Sequence, residues 1–175
     1  MSEFTIRRLG IDEERPPFDC NDADLNEFFA IDSIHNAREL MAVTYVVESE
    51  SDGDVLAFFS LANDGVKKQL FKPSAFEIIT KCIPSEKHYS SLPAVKIGRL
   101  ATSVTFQRKG IGSDILDYIK YWFTDGNKTG CRFIIVDAYN NEKTTKFYLK
   151  NGFSFSLDSD KDRKTRLMFF DLKTI

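Results

Sequence analysis

The chain has 175 residues, a formal net charge of −2 at pH 7 and a hydrophobic content of 42%, with 13% aromatic residues. This composition excludes a disordered chain, and no apolar run reaches the length of about 20 residues that a membrane-spanning helix needs. We therefore expect one globular domain over residues 1–175, with no membrane association. The N-terminal residues contain no apolar stretch of signal-peptide length, so a cytoplasmic location is expected.

The net charge hides an uneven distribution along the chain. Residues 1–95 contain nine Lys or Arg and 17 Asp or Glu, which gives −8, whereas residues 96–166 contain 14 and eight, which gives +6. A basic segment of this size fits a polyanionic ligand or partner, and it fits a merely solvated surface about as well.

The three cysteines, Cys20, Cys82 and Cys131, are odd in number, lie far apart and lack a CxxC pair. This spacing argues against a disulfide framework and against a zinc site. We expect reduced, partly buried thiols and no bound metal.

In chain order, the first predicted elements are a strand, a helix and a pair of strands. Phe4–Leu9 has the pattern of a strand, and a helix capped by Asn21 or Asp22 follows it. The predicted apolar face of this helix comprises Leu25, Phe28, Phe29 and Ile31 to Ile34. The runs 41–48 and 55–62 flank a glycine-containing acidic turn and should pair antiparallel.

The second half of the chain alternates between strands and helices. We predict a short helix over Pro73–Cys82, then a loop, then a strand over Ala94–Ser103 that runs into the turn QRKGIG. The apolar residues that recur at helical spacing after this turn are Ile111, Ile115, Leu116, Ile119 and Phe123. A buried strand over Cys131–Ala138, a helix closed by Gly152 as a left-handed cap and a strand over Arg166–Leu172 complete the chain.

The order strand, turn, helix, strand, helix over residues 95–152 predicts two parallel strands joined by a crossover helix. Ligands of such units lie at the carboxyl ends of the strands, beside the helix N-terminus, and the turn Gln107–Gly112 lies there. Its glycines let the backbone approach a pyrophosphate, which the helix amides and dipole favour. Taken alone, the Q-x-x-G-x-G pattern is also typical of an ordinary turn into a helix.

Two motifs in this context resemble the GNAT superfamily of acyl-CoA-dependent N-acetyltransferases. Gln107–Gly112 matches the R/Q-x-x-G-x-G/A loop that binds the coenzyme A pyrophosphate in that family. The residues that match its later N-x-x-A-x-x-x-Y-x-x-x-G-F segment are Asn141, Thr144 in place of Ala, Tyr148, Gly152 and Phe153. The resemblance implies the α/β GNAT fold: a mixed, mostly antiparallel sheet of about six to seven strands, with a splayed parallel pair, flanked by helices.

The resemblance also implies roles for residues of this chain, with acetyl-CoA as cosubstrate. The implied coenzyme-binding residues are Leu100, Ala101, Thr102, Gln107, Arg108, Lys109, Gly110, Ile111, Gly112, Ser113 and Asn141. Tyr148 is the implied catalytic acid, which protonates the departing thiolate. The alternative for Tyr148 is a core residue whose ring packs against its neighbours and whose hydroxyl meets water.

Over most of the chain, the likeness is closer to a branch containing toxins that acetylate the amino group of aminoacyl-tRNA. The segments that carry it are FDCNDADLNEFF, AFFSLA, LPAVKIGRLATS and VDAYNNEKTTKFYLKNGF. That branch implies aminoacyl-tRNA as the acceptor substrate. We further expect two partners, a small DNA-binding antitoxin and a second copy of the chain in a homodimer.

Two basic clusters are candidates for contacts with tRNA phosphates, or else are solvated surface. Lys143, Lys146 and Lys150 fall on one stripe of the predicted C-terminal helix. The second cluster comprises Lys161, Arg163, Lys164 and Arg166, interleaved with Asp158, Asp160 and Asp162. Two other functions stay open on the sequence: an acetyltransferase for a small amine, a peptide or a protein N-terminus, and an acyl-CoA-binding module without catalysis.

Overall fold

Seven strands form one sheet in the computed structural model, which describes residues 4–81, 83, 89–127 and 129–175. The strands are β1 (Phe4–Arg8), β2 (Val43–Ser49), β3 (Val55–Lys67), β4 (Ser91–Thr102), β5 (Phe133–Tyr139), β6 (Ser154–Phe155) and β7 (Thr165–Asp171). Their order across the sheet is β1-β2-β3-β4-β5-β7-β6, and β4 and β5 form a parallel pair in a mostly antiparallel sheet. The predicted fold class is confirmed.

The helices are α1 (Ala23–Glu27), α2 (Ser33–Arg38), α3 (Pro73–Thr80), α4 (Ile111–Thr124) and α5 (Glu142–Lys150). Of the two predicted caps, Asp22 is the N-cap of α1, and its carboxylate accepts a hydrogen bond from the Leu25 amide at 3.2 Å. In the part of the chain that the structure describes, no helix is long and apolar enough to cross a membrane.

A π-helical turn, Phe28–Asp32, joins α1 to α2 and corrects the predicted apolar face of this region. Phe28 and Phe29 are buried as predicted, but Ile31 is 50% exposed. A π-helical turn contains more residues than an α-helical turn, so it rotates the following side chains away from the positions that a regular helix would give them.

The chain divides into two compact units, of which the first comprises Met1–Ala62 and Ile97–Ile119. Its core is a hydrophobic cluster of Leu9, Cys20, Phe28, Phe29, Val46, Val55, Phe58 and Ala101. The Phe58 ring lies at its centre and contacts the rings of Phe18 and Phe29, with centroid distances of 5.1 and 4.8 Å. The predicted antiparallel pairing of β2 with β3 is confirmed and places Val46 opposite Phe58.

The second unit comprises Asn63–Lys96 and Lys120–Ile175. Its core cluster consists of Val66, Phe71, Phe76, Ile79, Leu92, Ala94, Phe133 and Ile135. Gly152 has a φ of +83° after α5, which confirms the predicted left-handed cap. Cys20 and Cys131 are free thiols, whereas Cys82 lies outside the described residues.

Candidate active site

The connection from β4 to α4 lies in the first unit and starts from a fixed position. β4 ends at Thr102. The Ser103 amide donates a hydrogen bond to the Leu56 carbonyl at 2.9 Å, and the Val104 amide donates to the Asp19 carbonyl at 3.0 Å. The loop that follows is therefore tethered on two sides before it reaches α4.

Gln107 fastens this loop with its side chain. Its Nε2 atom donates to the carbonyl of Cys20 at 3.0 Å and to that of Thr102 at 3.2 Å. The Cys20 amide in turn donates to Asn26 Oδ1 at 3.0 Å, and Asn26 Nδ2 donates to Asp19 Oδ1 at 2.8 Å. The side-chain amide of Gln107 thus binds the protein's own backbone, and its predicted contact with the coenzyme stays a prediction.

Two residues of the loop have left-handed backbone conformations, with φ of +63° at Arg108 and +93° at Gly110. Glycine adopts this region freely, whereas a residue with a side chain is strained there. A Cβ atom built on Gly110 meets nothing within 4 Å, so the space beside this residue is open. Strain of this kind concentrates where a backbone is shaped for a ligand.

The first turn of α4 presents backbone donors. Within the described chain, the first of its amides with a backbone acceptor is that of Ser113, which donates to the Gly110 carbonyl at 2.8 Å. The amides of residues 108–112 have no such acceptor among the described residues, and they lie where a helix N-terminus carries partial positive charge. Ile111 is only 5% exposed, so its side chain belongs to the core and only its amide can reach a ligand.

The side chains of Arg108 and Lys109 are exposed beside these amides. Lys109 Nζ lies 4.6 Å from the centroid of the Phe106 ring, a cation–π contact that holds the ammonium group over the loop. The first unit contains the coenzyme contacts that the sequence predicts in β4 and in this loop, namely Leu100 to Thr102 and residues 107–113.

Asn141 begins α5 in the second unit as its N-cap. Its Oδ1 atom accepts a hydrogen bond from the Thr144 amide at 2.8 Å. Sequence reasoning missed this capping role, although an asparagine before an amphipathic helix is typical of it. In the described part of the chain the Nδ2 atom of Asn141 has no acceptor, so it can donate to a ligand.

Tyr148 lies in the last turn of α5 and is 5% exposed. Its ring contacts those of Phe147 and Phe153, with centroid distances of 5.0 and 5.3 Å. Among the described residues its hydroxyl has no hydrogen-bond partner. Burial raises the pKa of the Tyr148 phenol above its ordinary value, so the group keeps its proton at neutral pH.

This burial changes the expected match between the acid and the leaving group. An ordinary phenol has a pKa of about 10 and an ordinary thiol a pKa of about 8.5. Transfer of a proton from the phenol to the thiolate is therefore already slightly unfavourable. The raised pKa of Tyr148 widens the gap. The ring also packs in the core, as the alternative interpretation of Tyr148 requires, so packing and proton donation are both compatible with this position.

The predicted basic stripe on α5 is exposed at all three positions, Lys143, Lys146 and Lys150. Lys146 Nζ forms an ion pair with Glu142 Oε1 at 2.5 Å, one helical turn earlier. Lys146 therefore has a carboxylate partner within its own helix, which weakens its attraction for an external anion.

The two cysteine thiols that the structure describes are poor nucleophiles. Burial raises the pKa of the Cys20 thiol and that of the Cys131 thiol, which keeps both protonated at neutral pH. The described residues contain no group of three or more His, Cys, Asp or Glu side chains that could hold a metal ion.

Comparison with known proteins gives one family and a set of similar folds. The family model described as an acetyltransferase (GNAT) domain matches residues 42–155. A structure of AtaT complexed with acetyl-methionyl-tRNAfMet has a TM-score of 0.79 at 24% identity, covering 98% of this chain and 96% of that chain.

Two further solved structures are similar over nearly the whole chain. A structure of AtaTR bound with acetyl-CoA has a TM-score of 0.78 at 24% identity, covering 99% of this chain and 96% of that chain. A mutant AtaT toxin bound to the C-terminus of the antitoxin AtaR and to acetyl-CoA has a TM-score of 0.73 at 21% identity, covering 98% of this chain and 95% of that chain. At these identities the likeness is one of fold.

Proposed function

Because the chain belongs to the GNAT acetyltransferase family, and is an acyl-CoA-dependent N-acetyltransferase with acetyl-CoA as cosubstrate, we propose that its acceptor is the α-amino group of an aminoacyl-tRNA. The observation that carries this proposal is the likeness to AtaT, solved with an acetylated aminoacyl-tRNA, over 98% of this chain. The net charge of +6 over residues 96–166 supports it, because tRNA is a polyanion.

The proposal assigns coenzyme binding to the loop and to the first turn of α4. The amides of residues 108–112 donate to the pyrophosphate, and the left-handed Gly110 leaves room for its oxygens. Arg108 and Lys109 add cationic contacts. The backbone of Leu100 to Thr102 pairs with the pantetheine arm as an added strand would, and an amide there polarises the thioester carbonyl. Asn141 Nδ2 donates a further hydrogen bond to the coenzyme.

Tyr148 handles the proton of the leaving group in this proposal. Attack by the acceptor amine forms a carbon–nitrogen bond and breaks the carbon–sulfur bond, and the Tyr148 hydroxyl gives its proton to the departing sulfur. The nitrogen loses one proton, which returns to Tyr148 through solvent. Because burial raises the pKa of Tyr148, its ionised form is costly and is reprotonated within each turnover.

The further partners follow from the same likeness. We propose a small DNA-binding antitoxin as a regulatory partner, since AtaT was solved with the C-terminus of its antitoxin AtaR. A homodimer and a cytoplasmic location, where charged tRNA is found, complete the proposal.

A small amine, a peptide or a protein N-terminus is the second candidate acceptor. Two observations favour it: the sequence pI of about 5.7 is low for a protein that binds RNA, and Lys146 of the α5 stripe already pairs with Glu142. In this case the coenzyme-binding residues keep the same roles.

The acceptor is tested by incubating the purified enzyme with labelled acetyl-CoA and, separately, charged tRNA, deacylated tRNA and short peptides. We expect label on charged tRNA only, because deacylated tRNA lacks a primary amine. Rising salt should reduce this labelling steeply, while coenzyme affinity changes little. Labelled peptides together with unlabelled charged tRNA would establish the second candidate instead.

A further inference from the structure

The segment 157–164, here called the basic loop, connects β6 to β7 in the second unit and has a defined conformation. The Arg163 amide donates to the Asp160 carbonyl at 3.0 Å. Asp160 is buried and accepts two hydrogen bonds, from Arg166 Nε at 3.1 Å and from the Leu167 amide at 2.9 Å. A carboxylate held from two sides fixes the path of the loop around it.

Asn140 fastens the basic loop to the start of α5. Its Nδ2 atom donates to the carbonyl of Lys161 at 2.7 Å and to that of Arg163 at 2.8 Å, and its backbone amide donates to the Lys164 carbonyl at 2.9 Å. Asn140 directly precedes Asn141, the N-cap of α5. All of these contacts use loop backbone, so they leave the charged side chains of the loop outside the network.

The sequence overstates how far acidic residues neutralise this loop. Arg166 is withdrawn from the predicted cluster, because its guanidinium lies 3.7 Å from the centroid of the Phe155 ring and pairs with Asp160. Asp160 is neutralised by the same pair. Asp158 pairs with Lys72 at 2.9 Å, and this contact lowers the pKa of the Asp158 carboxyl.

Three exposed cations remain on the basic loop, namely Lys161, Arg163 and Lys164. None of them forms an ion pair with another described residue. Asp162 is the one carboxylate of the loop left without an ion pair inside the described chain. The surface of the loop therefore carries an excess of positive charge, although its formal charges from Leu157 to Lys164 cancel.

We propose that the basic loop is a docking surface for the phosphodiester backbone of tRNA, through Lys161, Arg163 and Lys164. Three cations on a backbone held by Asn140 and Asp160 lose less conformational freedom on contact with phosphates than three cations on a mobile segment. The α5 stripe is the weaker candidate, because Lys146 shares its charge with Glu142. This inference rests on the proposed aminoacyl-tRNA acceptor and names the surface that receives it.

The test compares two triple variants with the same change of charge. In the loop variant, Lys161, Arg163 and Lys164 are each replaced by Glu. In the control variant, the exposed Lys67, Lys81 and Lys173 of the same unit are each replaced by Glu. No side chain of either set forms a hydrogen bond or an ion pair with another described residue, so both variants should fold, and circular dichroism and acetyl-CoA calorimetry check this.

Binding of fluorescent, deacylated tRNA is then measured across a range of salt concentrations. Because each phosphate contact contributes about 0.7 to 0.9 to the slope of log affinity against log salt, the loop variant should lose roughly two units of slope. Its affinity at low salt should fall at least roughly tenfold relative to the control variant. Equal affinities and equal slopes in the two variants would overturn the inference, as would absence of tRNA binding by the wild type.

The use of deacylated tRNA separates this inference from the proposed function. Acetylation of charged tRNA tests the acceptor, whereas binding of deacylated tRNA tests the surface alone. A wild type that binds tRNA through the loop without acetylating any charged tRNA contradicts the proposed acceptor and supports the docking surface. If the wild type acetylates charged tRNA, and the loop and control variants do so with the same KM for tRNA, only the docking surface is contradicted.

Discussion

Gly110 and Gly53 pose the same backbone requirement in different surroundings. Their φ values are +93° and +76°, and a Cβ atom built on either meets nothing within 4 Å. Replacing either glycine by Ala should therefore cost a similar roughly 1 kcal/mol of backbone strain. Gly110 lies in the proposed pyrophosphate loop, whereas Gly53 lies in the turn between β2 and β3.

We expect Gly110→Ala to weaken acetyl-CoA binding at least roughly tenfold in calorimetry, because the methyl group occupies space that the pyrophosphate needs. Gly53→Ala should lower the melting temperature by a similar amount and leave this affinity unchanged. Equal acetyl-CoA affinities in the two variants would show that the loop around Gly110 does not bind the coenzyme.

Tyr148→Phe separates the two roles of this side chain. The hydroxyl has no hydrogen-bond partner among the described residues, so its removal should leave the free energy of unfolding nearly unchanged. If Tyr148 protonates the thiolate, kcat should fall by roughly 10²-fold while acetyl-CoA affinity stays the same. Tyr121→Phe, at a position that is 65% exposed, is the matched control. An unchanged kcat in Tyr148→Phe would leave Tyr148 as a core residue.

Gln107 shows where sequence reasoning stops at the level of single residues. The motif identified the residue, but its two acceptors are backbone carbonyls, and one of them lies 87 positions away at Cys20. A backbone carbonyl leaves no trace in residue identity. The positive φ of Arg108 is equally invisible, because arginine is not a residue type that predicts a left-handed turn.

Among the elements, those with a recognisable apolar pattern were predictable, whereas a very short strand and a polar strand end were not. The strand before QRKGIG and the helix from Ile111 correspond to β4 and α4. β6 contains only Ser154 and Phe155, which is too short for any periodicity, and it was missed. β3 extends to Lys67, beyond the predicted end at Ala62. The extension was missed because Asn63 and Asp64, which follow Ala62, are polar and exposed and interrupt the apolar pattern.

The helix α5 offers a test of the two functions of Asn141. Serine is as good an N-cap as asparagine but lacks the Nδ2 donor, whereas alanine lacks both functions. Asn141→Ala should therefore cost about 1 kcal/mol of stability and weaken coenzyme binding. Asn141→Ser should keep the stability and lose roughly three- to tenfold in acetyl-CoA affinity, as one hydrogen bond predicts. Wild-type affinity in Asn141→Ser, measured by calorimetry, would restrict Asn141 to capping.

At the scale of the whole molecule, the charge split was readable from the sequence, but its distribution over surfaces was not. Counting residues gives +6 for residues 96–166 and says nothing of which charges are paired. Arg166 and Asp160 neutralise each other in a largely buried ion pair, and Lys72, from a distant part of the chain, forms an ion pair with Asp158. Ion pairs between distant segments depend on tertiary structure, so the exposed excess on the basic loop emerges only from the fold.

The expectation of a single domain over residues 1–175 predicts how the molecule unfolds. β3, β4 and α4 each continue from one compact unit into the other, so neither unit can lose its backbone structure without disturbing an element of its neighbour. We therefore expect one cooperative transition in urea, in which far-UV circular dichroism and the fluorescence of the single tryptophan, Trp122, coincide.

A variant in the first unit makes this prediction sharper, because Trp122 belongs to the second. Phe58 is fully buried in the core of the first unit, and Phe58→Ala should destabilise the fold by roughly 3–5 kcal/mol. For one domain, the midpoint of the Trp122 transition falls by the same amount as that of circular dichroism. Phe71→Ala, in the core of the second unit, should act alike on both probes. If Phe58→Ala instead leaves the Trp122 midpoint unchanged while circular dichroism becomes biphasic, the two units unfold independently and the single-domain prediction is wrong.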